Sequence, residues 1–425
     1  VQVGGQGFGG RGGAPNVLNA VQGEQYRFNW NTPVIMSPHN PKIVWLGGNR
    51  LFKSYNQGDT WIASEDLTKK IDRSTIAVME VPGNLTQLSK NDGVVAYSTI
   101  ITVSESPVMP GVVWAGTDDG NVQVSRDGGQ TFTEVGKNMP GLPPNNLHWI
   151  SRIEASHFDQ GTAYVAVDGH RSDDLKPYVF VTRDFGKTFQ SISGNLPAFG
   201  NVQVVREDPK NRDLLYAGTE FGLFISLDAG KSWQKFMNNY PTVRTDDIVV
   251  HPRENDLIVA THGRSVYIAD DISPLQQLTP AVRSADAALF DLRPAVAWLN
   301  DQQNNQQVTG QKVFIGENAP RGAAINYYLK ANASGDVKIT IAGANGAIIR
   351  TLDGPKTAGI HRVMWNLAPQ PQGGQGQGQG GGGGGGRGGG GGAVDPGTYT
   401  VTLEVGGQKY TKTLQLLQDR WLNER

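Results

Sequence analysis

The chain has 425 residues, with 38 Lys and Arg against 39 Asp and Glu, so it is long enough for two or three domains and carries a net charge of −1. This balance does not favour electrostatic binding to nucleic acid or to an anionic membrane surface. Cysteine is absent, which excludes disulfide frameworks, zinc–thiolate sites, iron–sulfur clusters and cysteine nucleophiles. The 56 glycines are balanced by 9 Trp, 12 Tyr and 14 Phe, which supply material for packed cores.

No stretch approaches the roughly 20 apolar residues that a membrane-spanning helix needs, so we predict no integral membrane segment. Residues 1–26 begin with a glycine-rich run and predict a linker. Because the sequence starts at Val1 without a signal-peptide pattern, it suggests a processed piece of a longer precursor.

Residues 27–290 contain an eight-residue pattern, Ser/Thr-x-Asp-x-Gly-x-Thr/Ser-aromatic, that recurs four times. The third position of the pattern is occupied by Asn56, Asp127, Asp184 and Asp228. We expect each of these side chains to accept backbone N–H groups across a tight turn, while the glycine supplies a positive φ. An apolar strand ending in small residues precedes each copy. These features predict the four-stranded blades of an all-β propeller.

Five blades are predicted, at residues 27–66, 100–137, 148–194, 200–238 and 242–290, with an insertion at 67–99. They either close on themselves as a five-bladed ring or belong to a larger ring that other blades complete. We favour the larger ring.

A second domain is predicted at 311–420, after a linker at 291–310, because the blade pattern stops and strands with alternating apolar residues follow. The clearest strand, at 398–405, is joined to the next by Gly406 and Gly407, a spacing typical of a two-residue hairpin. Within this domain, residues 373–392 comprise 16 glycines, three glutamines and one arginine. We expect this loop to be disordered unless contacts in an assembly order it.

In this propeller the loops that join the second and third strands of each blade leave the side opposite the aspartate turns. They gather around one funnel, where propellers commonly bind ligands. The ligand-binding candidates on these loops are Arg50, Asp119, Asp168, His170, Arg171, Asp173, Asp174, His262 and Arg264. The 168–174 loop offers carboxylates to a divalent cation, or Arg171 to an acidic sugar, and His262 lies in the equivalent loop two blades later. The spacing of the carboxylates in the 168–174 loop matches no closed metal motif, so we predict no metal site. We also predict no cofactor.

Glycoside hydrolysis needs two carboxylates roughly 5–9.5 Å apart, and the catalytic candidates are Asp118, Glu154 and Glu220. Charged residues also occur at adjacent or alternating positions of the inner strands, which we expect to line the central channel: Arg152, Glu154, Arg206, Glu207, Asp246, Asp247. Strand alternation directs at most one residue of each adjacent pair into the channel. Salt bridges between blades explain these charges as well as catalysis does.

The repeated turns resemble the Asp-box, or BNR, motif of sialidases, sortilin-type receptors and bacterial secreted repeat proteins. Longer stretches resemble the C-terminal half of large bacterial exported proteins with sortilin-like propellers, often labelled glycosyl hydrolases: 28–33, 151–157, 168–174, 261–265 and 270–275. This resemblance covers residues 20–420 and implies export and a second propeller half upstream. The Phe-Arg-Ile-Pro stretch of sialidases is missing, since the only Arg-Ile pair is followed by Glu154. Residues 365–367 and 396–399 resemble parts of the immunoglobulin-like sandwich of flagellar hook-capping proteins.

Two functions are compatible with this sequence. The first is a non-catalytic binding or structural subunit, located in the periplasm, at the outer surface or outside the cell. It binds a protein, peptide or glycan on the funnel face, and its partner is the missing propeller half or another member of a larger assembly. The alternative is a carbohydrate-active hydrolase, sialidase-like, with its carboxylates in the funnel. We favour the first, and a carboxylate pair at catalytic distance with a perturbed pKa would favour the second.

Overall fold

A computed structural model describes residues 16–78, 81–82, 96–143, 145–298, 320–371 and 394–420. The predictions for the glycine-rich loop at 373–392 and for most of the 291–310 linker therefore lie outside the described residues. The described part is dominated by β-strands, which confirms the all-β class. It divides into two compact units, Val1–Ala269 and Asp270–Arg425. Neither of the α-helices in the described ranges is long and apolar enough to cross a membrane.

The described part of unit 1 contains five antiparallel sheets of three or four strands, which are the blades of a β-propeller, and a two-stranded sheet in the insertion. Blade 1 consists of β1 (Val34–Met36), β2 (Val44–Gly47), β3 (Arg50–Ser54) and β4 (Ile62–Asp66). The insertion holds a 3₁₀ turn (Arg73–Thr75), β5 (Ala77–Val78) and β6 (Val81–Pro82). Blade 2 consists of β7 (Ile100–Glu105), β8 (Val113–Thr117), β9 (Val122–Ser125) and β10 (Thr133–Glu134), followed by a 3₁₀ turn (Gly136–Asn138).

Blades 3 and 4 repeat the same four-stranded order, and blade 5 has three strands. Blade 3 contains β11 (Trp149–Ala155), β12 (Ala163–Asp168), a 3₁₀ turn (His170–Ser172), β13 (Tyr178–Thr182) and β14 (Gln190–Ser191). Blade 4 contains β15 (Val202–Glu207), β16 (Leu215–Thr219), β17 (Gly222–Ser226) and β18 (Gln234–Lys235). Blade 5 contains β19 (Thr245–Val250), β20 (Leu257–Thr261) and β21 (Val266–Ala269).

The four aspartate turns have the expected hydrogen bonds. Asp127 accepts the backbone N–H of Thr131 at 3.0 Å and its hydroxyl at 2.6 Å, and these bonds lower the pKa of Asp127 to about 2. Asp184, Asp228 and Asn56 accept the backbone N–H four residues later at 2.9 Å in their own turns. The turn glycine also lies against the preceding blade: a Cβ on Gly186, where φ is +80°, would be 2.6 Å from Val135.

Neighbouring blades pack face to face through apolar side chains. One buried cluster contains Val124 of blade 2 and Ile153 of blade 3, and another contains Val181 of blade 3 and Val205 of blade 4. Residues 16–26, predicted as part of a linker, instead lie on blade 1, where Val17 is buried and forms an isolated parallel bridge with Trp61. The apolar residues within this segment explain the difference, because they give it a surface to bury.

Unit 2 is a β-sandwich that begins before the predicted boundary. It contains α1 (Ser273–Gln277), α2 (Pro280–Ser284), β22 (Ala287–Leu289), β23 (Ala295–Ala297), β24 (Ala323–Leu329), β25 (Lys338–Ala342), β26 (Ile348–Asp353), β27 (Gly359–Trp365), β28 (Gly397–Val405) and β29 (Gln408–Gln418). The sheets β22-β24-β27 and β23-β29-β28-β25-β26 share one buried core. Because β22 pairs with β24, residues 287–289, which the sequence assigns to blade 5, belong to the sandwich.

The predicted hairpin of the sandwich is confirmed. Val405 pairs with Gln408, and the two glycines between them have φ values of 57° and 75°. Such angles suit glycine and match the right-handed twist of the flanking strands. Trp365 is fully buried in the shared core and packs edge-on against Tyr399 at 5.5 Å. The immunoglobulin-like assignment of this sandwich stays a prediction.

Candidate functional site at the loop face of the propeller

The end of each second strand pairs with the start of the first strand in the same blade, so these ends share one side of the propeller. We call this side the loop face; it comprises residues 29–32, 48–49, 118–121, 169–177, 199–201, 220–221 and 262–265. In blades 2–5 the first strand also has a register shift where it begins at this face. Such bulges redirect side chains and are common near binding sites.

Asp118 and Asp119 lie at the loop face but are fully buried. Asp118 accepts hydrogen bonds from the backbone N–H of Thr99 at 2.8 Å, from its hydroxyl at 2.7 Å and from the Asn29 amide at 3.0 Å. Burial raises the pKa of Asp118 to about 7, with a further contribution from the neighbouring Asp119. Asp119 accepts the backbone N–H of Lys69 at 2.8 Å, so the start of the insertion covers this loop.

The 168–174 loop contains a buried carboxylate that orients a histidine. Asp168 accepts the His170 backbone N–H at 3.0 Å and lies 2.6 Å from His170 Nδ1. Burial opposes ionisation of Asp168, but the His170 hydrogen bonds outweigh it and lower the pKa of the carboxyl. Arg171 stacks over the Trp149 ring at 3.7 Å. The loop therefore presents the partly exposed His170 and the exposed Asp173 to solvent.

Asp174 is a structural member of the same loop. Its carboxylate accepts the Tyr178 hydroxyl at 2.7 Å and lies 3.3 Å from His148 Nε2. Burial again opposes ionisation, but the Tyr178 and backbone hydrogen bonds lower the pKa of Asp174. Asp174 therefore fixes the loop and the start of the blade 3 inner strand.

Of the three remaining ligand-binding candidates, two have protein partners and the third is open to solvent. His262 lies 3.0 Å from Asp246, so His262 and His170 each contact an aspartate of their own. Arg50 forms an ion pair with Glu24 at 2.6 Å, beneath the N-terminal segment. Arg264 is exposed. Sequence spacing alone did not reveal these partners, because each partner lies in a different strand or segment.

Glu154 belongs to a salt-bridge network of the inner strands and not to the loop face. It pairs with Arg206, which also contacts Asp247 at 3.0 Å, while Arg152 contacts Asp247 at 2.9 Å. The predicted salt bridges between blades are thus present, here joining blades 3, 4 and 5. Burial opposes the charge of Glu154, but Arg206 outweighs it and lowers the pKa of the carboxyl. Glu154 is therefore engaged by a cation within the channel.

The loop face also carries three exposed aromatic side chains that are not among the predicted site residues. Trp30 is 82% exposed, Phe199 62% and Phe221 44%. Phe221 directly follows Glu220 and packs beside Gly200, where a Cβ would lie 2.9 Å from its ring. Their signal in the sequence is an aromatic residue in a loop that precedes or follows a blade strand.

No family model matches the chain. A segment of 168 residues, 38% of the chain, is 26% identical to an oligoxyloglucan-reducing end-specific xyloglucanase of Emericella nidulans and covers 17% of that protein. Similar solved structures include the GH74 xyloglucanase of Xanthomonas campestris, with 13% identity, 58% of this chain and 38% of that chain covered, and a TM-score of 0.40. The GH74 enzyme of Niastella koreensis has 15% identity, 89% and 56% coverage, and a TM-score of 0.40.

A further similar structure is YCF48 bound to D1 peptide, with 17% identity, 59% of this chain and 69% of that chain covered, and a TM-score of 0.35. These scores are all low, so the propeller assignment rests on the strand pairing of the blades themselves. The chain spans less than a fifth of the length of the sequence relative that it matches.

Proposed function

We propose that this chain is the propeller part of an exported carbohydrate-active hydrolase and that its loop face binds a glycan. The observation that carries the proposal is the exposure of Trp30, Phe199 and Phe221 on the same face as charged loop residues. A sugar ring packs its C–H groups on aromatic rings, and its hydroxyls need hydrogen-bonding partners. The sequence similarity to a xyloglucanase supports a glycan of this kind as the first ligand to test.

In this proposal Asp118 is a positioning residue. It holds the Asn29 amide, whose own side-chain oxygen accepts the backbone N–H of Asn31 at 3.0 Å. These bonds fix the turn that carries Trp30. Because Asp118 is fully buried, it acts on the glycan only through that turn.

Glu220 is the catalytic candidate that remains accessible. It is partly exposed at the loop face and precedes the exposed Phe221. A carboxylate beside an aromatic side chain is placed to contact a bound sugar and would supply one of the two carboxyl groups that glycoside hydrolysis requires. The second group is neither Asp118 nor Glu154, because both are engaged by protein groups.

A non-catalytic glycan-binding subunit is the second candidate function. It is favoured by the internal partners of Asp118 and Glu154, which leave two of the three proposed carboxylates engaged by protein groups. Both candidate functions predict that the chain binds a glycan, but only the hydrolase would cleave it.

Xyloglucan oligosaccharides are the probe that tests these proposals, with binding measured by calorimetry and hydrolysis by release of reducing ends. We expect Trp30→Ala to weaken binding about tenfold. Tyr55→Ala is the matched control, because Tyr55 is 55% exposed on an aspartate turn at the opposite side.

Hydrolysis by the wild type that Glu220→Gln abolishes without loss of binding supports the hydrolase. Binding without hydrolysis supports the non-catalytic subunit. Equal binding by the wild type and Trp30→Ala would overturn the proposed glycan site, and so would no binding at all.

A further inference from the structure

The first and last blades expose faces whose equivalents are buried between the other blades. The first strands of the blades can be aligned on one backbone hydrogen bond that recurs in each blade. Its N–H donor is Ser37 in blade 1, and Ser106, Ser156 and Asp208 in blades 2–4. Three residues before this position lies Val34 in blade 1, and Val103, Ile153 and Val205 in the next three blades.

The face of blade 1 that includes Val34 and Met36 is called here the entry face. Val34 is 61% exposed, although its equivalents Val103, Ile153 and Val205 are only 8%, 1% and 0% exposed. Met36 is 69% exposed. In blade 3 the equivalent Ile153 shares a buried cluster with Val124 of the preceding blade. The entry face is therefore the surface that a preceding blade would cover.

The face of blade 5 that includes Val266 and Ile268 is called here the exit face. The repeated pairing of the second and third strands makes Ile268 equivalent to Val181 and Ile225. Ile268 is 58% exposed, whereas Val181 and Ile225 are 1% and 5% exposed. Val266 is 56% exposed. Because Val181 shares a buried cluster with residues of the following blade, the exit face is the surface that a following blade would cover.

Between neighbouring blades of this chain, a surface equivalent to the exit face packs on a surface equivalent to the entry face. The entry and exit faces are therefore complementary to each other. Exposed, contiguous apolar side chains on a sheet mark interaction surfaces. Strand β21 is also an edge strand of its described sheet, and an edge strand offers unpaired backbone groups to another chain.

We propose that the entry and exit faces bind a second copy of this chain, with blade 5 of each copy packed on blade 1 of the other. The occupant follows from continuity with the interface between blades, because each copy supplies the half that the other copy lacks. A two-fold axis then completes both contacts at once and leaves neither face open.

The absence of cysteine from the chain allows a direct test by cross-linking. Single variants Val34→Cys and Ile268→Cys are purified separately, mixed and treated with a thiol-specific bifunctional maleimide, whose span does not require the direct contact of a disulfide. We expect a covalent dimer only in the mixture. Strand pairing makes Val124 the blade 2 equivalent of Ile268, and Val124 shares a buried cluster with Ile153, the blade 3 equivalent of Val34. The double variant distinguishes the alternative: an intrachain cross-link in a monomer means that the five blades close on themselves and overturns the proposal.

Native mass spectrometry of the full chain provides an independent measurement. We expect the wild type to have twice the mass of one chain and Ile268→Asp to be monomeric. Val108→Asp is the matched control, because Val108 is 44% exposed in a turn outside both faces, and it should remain dimeric. Circular dichroism establishes that the variants are folded. A monomeric wild type that forms no mixed cross-link overturns the proposal, whether its faces stay open or bind another polypeptide.

Discussion

Substitution of Asp118 by asparagine should change how the stability of the propeller depends on pH. Burial raises the pKa of this carboxyl from 3.8 to about 7 in the folded protein. Between roughly pH 4 and pH 7 the folded state therefore binds more protons than the unfolded state, so stability falls as the pH rises through this window. A difference of about three pKa units corresponds to a loss of roughly 4 kcal/mol.

Chemical unfolding in urea, followed by pulse proteolysis at about pH 5 and pH 8, measures this loss. We expect the wild type to lose most of the difference between these pH values, whereas Asp118→Asn, with a neutral amide, should not. Asp127→Asn is the matched control, because hydrogen bonds in its turn lower the pKa of Asp127 to about 2. Asp127 therefore stays ionised between about pH 5 and pH 8, and its replacement should leave the loss of stability between these pH values unchanged. Equal losses of stability in the wild type and in Asp118→Asn between the two pH values would contradict a raised pKa of Asp118 in the folded protein.

Three further predictions concern the packing of the blades. Asp228→Ala should destabilise the propeller by about 1 kcal/mol in thermal unfolding, because the Ser232 backbone N–H loses its acceptor at 2.9 Å; an unchanged melting temperature would contradict this. Arg206→Ala should cost about 3 kcal/mol in urea, since Glu154 and Asp247 lose their shared cation, and a smaller effect than in Asp228→Ala would count against the network. Gly186→Ala should lower the free energy of unfolding by about 2 kcal/mol in the same assay, because its Cβ would lie 2.6 Å from a side chain of the preceding blade. Unchanged stability would show that this side chain moves away without cost.

The local chemistry of the repeats was sufficient to predict the blades. Asp127, Asp184 and Asp228 act within eight residues of chain, so their hydrogen bonds depend only on the turn that the same residues form. The Gly406–Gly407 hairpin was predictable for the same reason, since the loop length and two positive φ values specify the register. Strand alternation likewise indicated that charges would meet in the channel.

The tertiary structure decided which of the candidate residues are accessible. Asp118 is in the loop where the sequence places it, whereas Arg50 is the first residue of β3 and not part of a loop. The insertion supplies Thr99 as a partner of Asp118, and the N-terminal segment supplies Glu24 as a partner of Arg50. The exposure of Trp30 and Ile268 has the same origin, because it depends on which blade lies beside each residue. Turn chemistry is local and can be deduced from spacing, whereas burial is a property of the neighbours that folding brings together, so only the assembled blades determine it.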